Sequence, residues 1–87
     1  MWTLGYSREV RNYIYDSYPY TAAVWQAIKS LRQTKDALPA RGWRELEPDL
    51  YLWMIADHWV VYKRLVAEQK LVVTALKPMD ESVFDEG

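Results

Sequence analysis

The side chains best suited to chemistry lie in the second half of this 87-residue chain. Cleaving a phosphodiester without a metal requires a group that helps to activate a hydroxyl, cations that stabilise the crowded phosphate, and a donor for the leaving oxygen. The candidate catalytic residues are Arg44, His58, Tyr62 and Arg64, and the candidate RNA- or phosphate-binding residues are Lys63 and Lys77. These residue types permit the reaction, and their positions decide whether they take part.

Each candidate also has a structural interpretation. His58 falls at a predicted turn, where an exposed histidine without a catalytic role is the commoner case. Strand alternation places Tyr62 among the packing residues. The candidate arginines and lysines are single charges on strands, and such charges are more often simply solvated.

Composition excludes several kinds of site. The chain has no cysteine and a single histidine, so it can form neither a disulfide, a thiolate metal site nor a His-rich zinc site. We therefore expect no metal and no cofactor. It also has no glycine-rich phosphate loop and no nucleophile elbow. We expect a cytoplasmic protein, because no apolar run is long enough to span a membrane and no signal peptide is recognisable.

Length and charge predict one domain followed by an acidic tail. Apolar residues make up 51% of the whole chain, which is enough for residues 1–79 to build a single core. Four of the twelve acidic residues fall in residues 80–87, which leaves eleven basic and eight acidic groups in the domain. This mildly basic body permits a nucleic-acid partner without requiring one. The simplest interpretation of the tail is a solvated segment, and the alternative is that it folds back over the basic sheet face.

The first half begins with a predicted strand and helix. Large apolar residues alternate with small or polar ones from Trp2 to Tyr6, as in a strand with one buried face. Ser7 then offers an N-cap, and apolar residues recur at intervals of three and four from Val10 onward. Pro19 ends this helix, because proline lacks the backbone donor that a helix interior needs.

A second helix is predicted after Pro19. Thr21 is its expected N-cap, and Tyr20 is expected to pack on Trp25 as a hydrophobic staple. Gly42 closes the segment that follows. We expect the two helices to form an antiparallel pair.

After Gly42 the apolar period changes to two, which predicts three consecutive strands joined by short turns. The strands cover residues 50–55, 59–65 and 71–76. Residues 43–47 either extend the first of them or form a separate strand. Consecutive strands with short links pair as an antiparallel meander. The sequence therefore predicts an α+β domain with an N-terminal strand, a two-helix hairpin and a three- to four-stranded antiparallel meander.

Aromatic residues are abundant, with five tryptophans and seven tyrosines. We expect Trp25, Trp53 and Trp59 to pack in the core rather than to stack on RNA bases. Four tyrosines between residues 13 and 20 cannot all point inward, so part of this cluster is expected to form a surface patch for a protein partner.

Several short motifs accompany this order of elements. They are Ser7-Arg8-Glu9-Val10, Trp43-Arg44-Glu45-Leu46, Pro48-Asp49-Leu50-Tyr51, Asp57-His58-Trp59-Val60-Val61-Tyr62 and Leu71-Val72-Val73. Together they resemble the RelE/ParE superfamily of small bacterial toxins over about residues 2–78. The last hairpin of that family often has the pattern His-Arg-hydrophobic-Val-Tyr, which is similar to residues 58–62 here.

This resemblance implies a toxin that a small antitoxin neutralises by wrapping around it. RelE-like members are implied to cleave messenger RNA on the ribosome, and ParE-like members to inhibit DNA gyrase without breaking a bond. A RelE-like toxin is the leading interpretation, with a gyrase inhibitor and a non-toxic interaction module as alternatives. The chain departs from the RelE-like pattern at Trp59, where an arginine is usual, and at Leu52 and Trp53, where a cation is common.

Overall fold

The computed structural model describes residues 1–80, which form a five-stranded sheet and two helices. The strands are β1 (Thr3–Tyr6), β2 (Trp43–Glu47), β3 (Leu50–Ile55), β4 (His58–Leu65) and β5 (Lys70–Pro78), and the helices are α1 (Arg8–Asp16) and α2 (Ala22–Ser30). Short 3-10 turns cover Leu31–Gln33 and Val66–Glu68. The predicted α+β class and its order of elements are confirmed, and residues 43–47 form a separate strand.

The sheet is mixed because β1 joins it in parallel. Its strand order is β1-β5-β4-β3-β2, and β2 to β5 form an antiparallel meander. Residue Thr3 pairs with Lys70 and Tyr6 with Val73 in the parallel pair. Parallel neighbours need a long connection between them, and here that connection includes both helices and the meander.

The start of α1 agrees with its predicted cap. The Ser7 hydroxyl accepts a hydrogen bond from the Val10 backbone N–H at 3.2 Å. Val10 and Ile14, one turn apart, are both buried. A capping side chain of this kind stabilises a helix by about 1 kcal/mol, because it satisfies one of the unpaired N–H groups of the first turn.

Thr21 is the N-cap residue of α2, as predicted, but its side chain makes no capping hydrogen bond, and the predicted staple does not form. The Thr21 hydroxyl donates instead to the carbonyl oxygen of Ile14 at 2.7 Å, and this side chain is fully buried. Thr21 therefore links the start of α2 to α1. The ring centres of Tyr20 and His58 are 4.9 Å apart, so Tyr20 packs on His58 rather than on Trp25. Trp25 packs against the core from α2.

The strand turns use left-handed residues. Between β3 and β4, Ala56 and Asp57 have φ values of 52° and 61°, the combination that closes a two-residue hairpin. Asp49 and Gln69 take the same region at the β2–β3 and β4–β5 connections. The predicted turns are confirmed, but His58 is the first residue of β4 rather than part of its turn.

Alternation along the strands gives the sheet two different faces. The helix face packs on α1 and α2, and its buried strand residues include Tyr51, Trp53, Val60 and Tyr62. The opposite surface, called the open face below, carries the residues between them, such as Leu52 and its partner Val61. Within residues 1–80, no helix has the length and apolar character needed to cross a membrane.

Candidate functional site

The six candidate side chains do not form one site, because strand alternation divides them between the two faces. The helix face holds His58, Tyr62 and Arg64, and the open face holds Arg44, Lys63 and Lys77. A substrate on either face would therefore meet only half of the set.

His58 is buried and both of its ring nitrogens have partners. Its side chain is 0% exposed, so the expectation of an exposed histidine is wrong. Nδ1 lies 2.7 Å from the carbonyl oxygen of Ala56, and Nε2 lies 2.7 Å from the hydroxyl of Tyr13. A carbonyl oxygen can only accept, so Nδ1 donates to Ala56, and in a neutral ring Nε2 would then accept from the Tyr13 hydroxyl. This histidine fastens α1 to the β3–β4 hairpin and has no exposed surface for a substrate.

Tyr62 belongs to the core, as alternation predicted. It is 1% exposed, and its hydroxyl donates to the carbonyl oxygen of Ala37 at 2.9 Å. Its ring packs on Tyr51 with 5.3 Å between the ring centres. Burial raises the pKa of Tyr62 well above the usual range of tyrosine, and the neighbouring Tyr51 raises it further while Arg64 opposes the shift. The hydroxyl therefore stays protonated and engaged inside the fold.

Arg64 is held by the loops at one end of the sheet. Its Nε and Nη2 atoms donate to Oδ1 of Asp49 at 3.2 and 3.1 Å, and Nη1 donates to the carbonyl oxygen of Asp36 at 2.8 Å. The guanidinium also lies 5.4 Å from the ring centre of Tyr51. Burial raises the pKa of Tyr51, and the charge of Arg64 counteracts that shift. These contacts give Arg64 a structural role between β4, the β2–β3 turn and the loop after α2.

Within residues 1–80, the open face carries four cations. Arg44, Lys63 and Lys77 were among the sequence candidates, whereas Lys70 was missed. Strand register shows its place, because Lys70 pairs with Leu65, two residues beyond Lys63 on β4. A sequence prediction that had fixed the β4–β5 register could have found it.

Lys70 extends this basic surface toward β1. Its Cε atom lies 3.1 Å from where a Cβ atom would stand at Gly5, so the aliphatic stem lies close over that strand. Within residues 1–80, strand register places one carboxylate on the open face, that of Glu47 opposite Leu50. The face therefore carries a net positive charge.

Apolar side chains fill the middle of the open face. Leu52 and Val61 are only 5% and 9% exposed, whereas Met54 is 45% exposed. Trp59 lies opposite Met54 and is half-buried, so its predicted place in the core is wrong. Trp53, on the helix face, is buried as predicted. The accessible apolar surface of this face is therefore that of Met54 and Trp59, inside a frame of cations.

The tyrosine cluster forms the predicted surface patch in part. Tyr15, Tyr18 and Tyr20 are 66%, 69% and 54% exposed. Tyr13 is half-buried and bonds to His58. The exposed rings lie around the end of α1 and the connection to α2, which is away from the open face.

The open face provides cations but few groups for proton transfer. In residues 1–80, no strand tyrosine or histidine lies on it, because Tyr6, Tyr51, Tyr62 and His58 all belong to the helix side. The same part of the chain contains no cluster of three or more potential metal ligands. Comparisons with protein-family models, with curated proteins and with solved structures give no match to this chain.

Proposed function

We propose that this chain is the toxin of a toxin–antitoxin pair of the RelE/ParE type, and that its open face binds a small acidic antitoxin. The observation that carries the proposal is the composition of that face. Met54 and Trp59, which lie over the buried Leu52 and Val61, form an apolar strip, and within residues 1–80 four cations surround it against one carboxylate. Such a surface fits a segment with apolar anchors and acidic flanks, since both parts gain on binding.

Inhibition by binding is favoured over bond cleavage as the toxic action. General acid–base catalysis requires a titratable group within hydrogen-bond reach of the reacting atoms. His58 and Tyr62 are 0% and 1% exposed and are engaged inside the fold. The gyrase-directed mechanism of ParE-like proteins needs no such group, because it acts through a protein interface.

Charge reversal on the open face tests the binding surface. The product of a neighbouring short reading frame is co-purified with the wild type and with the double variant Lys63→Glu/Lys77→Glu. We expect the double variant to weaken the complex by roughly tenfold or more, because like charges are then opposed across the interface. Lys35→Glu is the matched control, since this exposed lysine lies in the loop after α2. Equal affinity of all three proteins would exclude the open face.

Induced expression tests the toxic action. A protein that poisons gyrase triggers a DNA-damage response before protein synthesis declines, whereas a ribosome-directed nuclease stops amino-acid incorporation first. We expect the damage response first. Normal growth with both processes intact would contradict the toxin proposal and would leave a non-toxic interaction module of the same fold.

RNA cleavage on the ribosome is the second candidate function. The observation in its favour is that Arg44, Lys63 and Lys77 share one face with Trp59, which combines phosphate-binding cations with a half-buried ring. Primer extension on a translated message measures it directly. If cleavage occurs, Lys63→Ala and Lys77→Ala should reduce it, whereas Lys35→Ala should not.

A further inference from the structure

At the end of β5, the chain lies beside residues of the open face. The backbone N–H of Met79 donates to the carbonyl oxygen of Asp57 at 2.8 Å, which holds this residue beside the β3–β4 turn. The carbonyl oxygen of Met79 accepts from the indole Nε1–H of Trp59 at 3.3 Å. Trp59 lies on the open face and pairs with Lys77 of β5. Residue 80 therefore begins next to the apolar strip and close to Lys77.

The sequence that follows has the chemistry that this face fits. Residues 80–87 contain four carboxylates, and two apolar residues, Val83 and Phe84, stand between the two acidic pairs. The open face has the reverse arrangement, with an apolar strip inside a frame of cations. Charge and apolar surface are therefore complementary between the segment and the face.

The length of the segment is sufficient for contact. A chain of seven residues beyond Asp80 has a maximal reach of about 23 Å, at roughly 3.3 Å per residue. Adjacent strands lie about 4.8 Å apart, so crossing from β5 to β2 needs only about 14 Å. A tether this short gives an effective concentration in the millimolar range, so a weak interaction is enough for occupancy.

We propose that residues 81–87 bind the open face of their own domain, with Phe84 against the apolar strip and the acidic residues among Lys63, Lys77 and Arg44. The segment then competes with any acidic partner for this face and acts as a built-in inhibitor. The inference uses the same face as the proposed antitoxin interface but does not require that the partner be an antitoxin.

The first test compares full-length proteins by two-dimensional NMR. Phe84→Ala should shift the indole N–H signal of Trp59 and the backbone signals of Val61 and Lys63, and added salt should shift them in the same direction, because both changes release the segment. The matched control, Ser82→Ala, should leave these signals in place. If Phe84→Ala changes only signals of residues near position 84, the proposal is overturned.

The second test measures competition with a chain that ends at Asp80, which keeps every described strand and helix. A synthetic peptide of residues 80–87 should bind this shortened chain at least fivefold more tightly than it binds the full chain, and Lys63→Glu should abolish the binding. Equal affinity for the two chains would overturn self-binding. Failure of a neighbouring gene product to bind the shortened chain would instead count against the antitoxin proposal.

Discussion

Replacing Tyr62 by phenylalanine separates a structural role of this residue from a catalytic one. The change removes only the hydroxyl that donates to the carbonyl oxygen of Ala37 at 2.9 Å. Ala37 is itself fully buried, so its carbonyl group would lose its donor where no solvent replaces it. A buried polar group left unsatisfied costs about 1–3 kcal/mol, and we expect the free energy of unfolding to fall by that amount.

Backbone strain at Ala37 adds a reason to expect a measurable effect. Its φ of 55° is in the left-handed region, which costs a residue with a Cβ atom about 1–2 kcal/mol. The hydrogen bond from Tyr62 helps to hold the loop in that conformation. Without this hydrogen bond, the loop can relax. The extent of that relaxation determines how large the fall in the free energy of unfolding is within the range of about 1–3 kcal/mol.

Urea and thermal denaturation provide the measurement. In a domain of this size, 1 kcal/mol corresponds to about 4–8 °C, so Tyr62→Phe should lower the melting temperature by roughly 5–20 °C. The control is Tyr15→Phe, which alters an exposed hydroxyl and should change stability by less than about 0.5 kcal/mol. If the two variants melt together, the hydrogen bond to Ala37 does not stabilise the fold, and the structural interpretation of Tyr62 is refuted.

Alkaline pH gives an independent check on the same group. Burial raises the pKa of Tyr62 in the folded state, so the unfolded chain loses this proton first, near the ordinary value of about 10. The protonated Tyr62 hydroxyl therefore makes its full contribution to the free energy of unfolding below pH 10, and this contribution declines as the pH rises above 10. Phenylalanine has no such proton, so the stability gap between wild type and variant should narrow between pH 9 and pH 11. A constant gap would contradict the raised pKa.

Three further substitutions test other parts of the fold. Arg64→Ala should lower the free energy of unfolding in urea by about 1–2 kcal/mol, since the pair with Asp49 is partly exposed, and Arg64→Lys should restore less than half of it. Trp59→Arg should keep the native circular dichroism spectrum, whereas Trp53→Arg should unfold the domain by placing a charge in the core. Thr21→Val should cost about 1–3 kcal/mol in thermal melting, because its buried hydroxyl bonds to the end of α1.

The sequence predicted elements well where the signal was periodic and local. The alternation of residues 50–55 and the apolar spacing around Val10 each gave an element close to its observed bounds. Ser7 was a correct cap because its partner is three residues away. Thr21 occupies the predicted N-cap position, but its hydroxyl does not cap the helix because it donates to Ile14, seven residues back, a contact that depends on how the helices meet.

The candidate site was less predictable because it depends on one strand boundary. Side chains in a strand alternate, so alternation assigns a face to a residue only when that residue is counted as part of the strand. Counting His58 as part of the turn made it exposed, whereas its place as the first residue of β4 puts it on the same face as Val60 and Tyr62. The same parity puts Trp59 on the open face.

Long-range contacts were outside the reach of the sequence patterns. The bonds from Arg64 to Asp49 and Asp36 join positions 15 and 28 residues apart, and no local spacing announces them. The parallel pairing of β1 with β5 is a similar case, because it brings Thr3 beside Lys70 from the other end of the domain. Because of that pairing, Lys70 lies over Gly5 and the basic surface extends to β1.

Position parity along β4 separates substitutions that change binding from those that change stability. His58, Tyr62 and Arg64 are even-numbered, point to the helix face and make bonds inside the fold, so changing them acts on folding. Trp59 and Lys63 are odd-numbered and belong to the open face. Because these even-numbered residues stabilise the fold, a loss of activity in one of their variants implies a chemical role only when it exceeds the loss of folded protein. An arginine introduced at position 59 would lie beside Lys77 of β5. We expect it to strengthen the binding of an anion without disturbing the core.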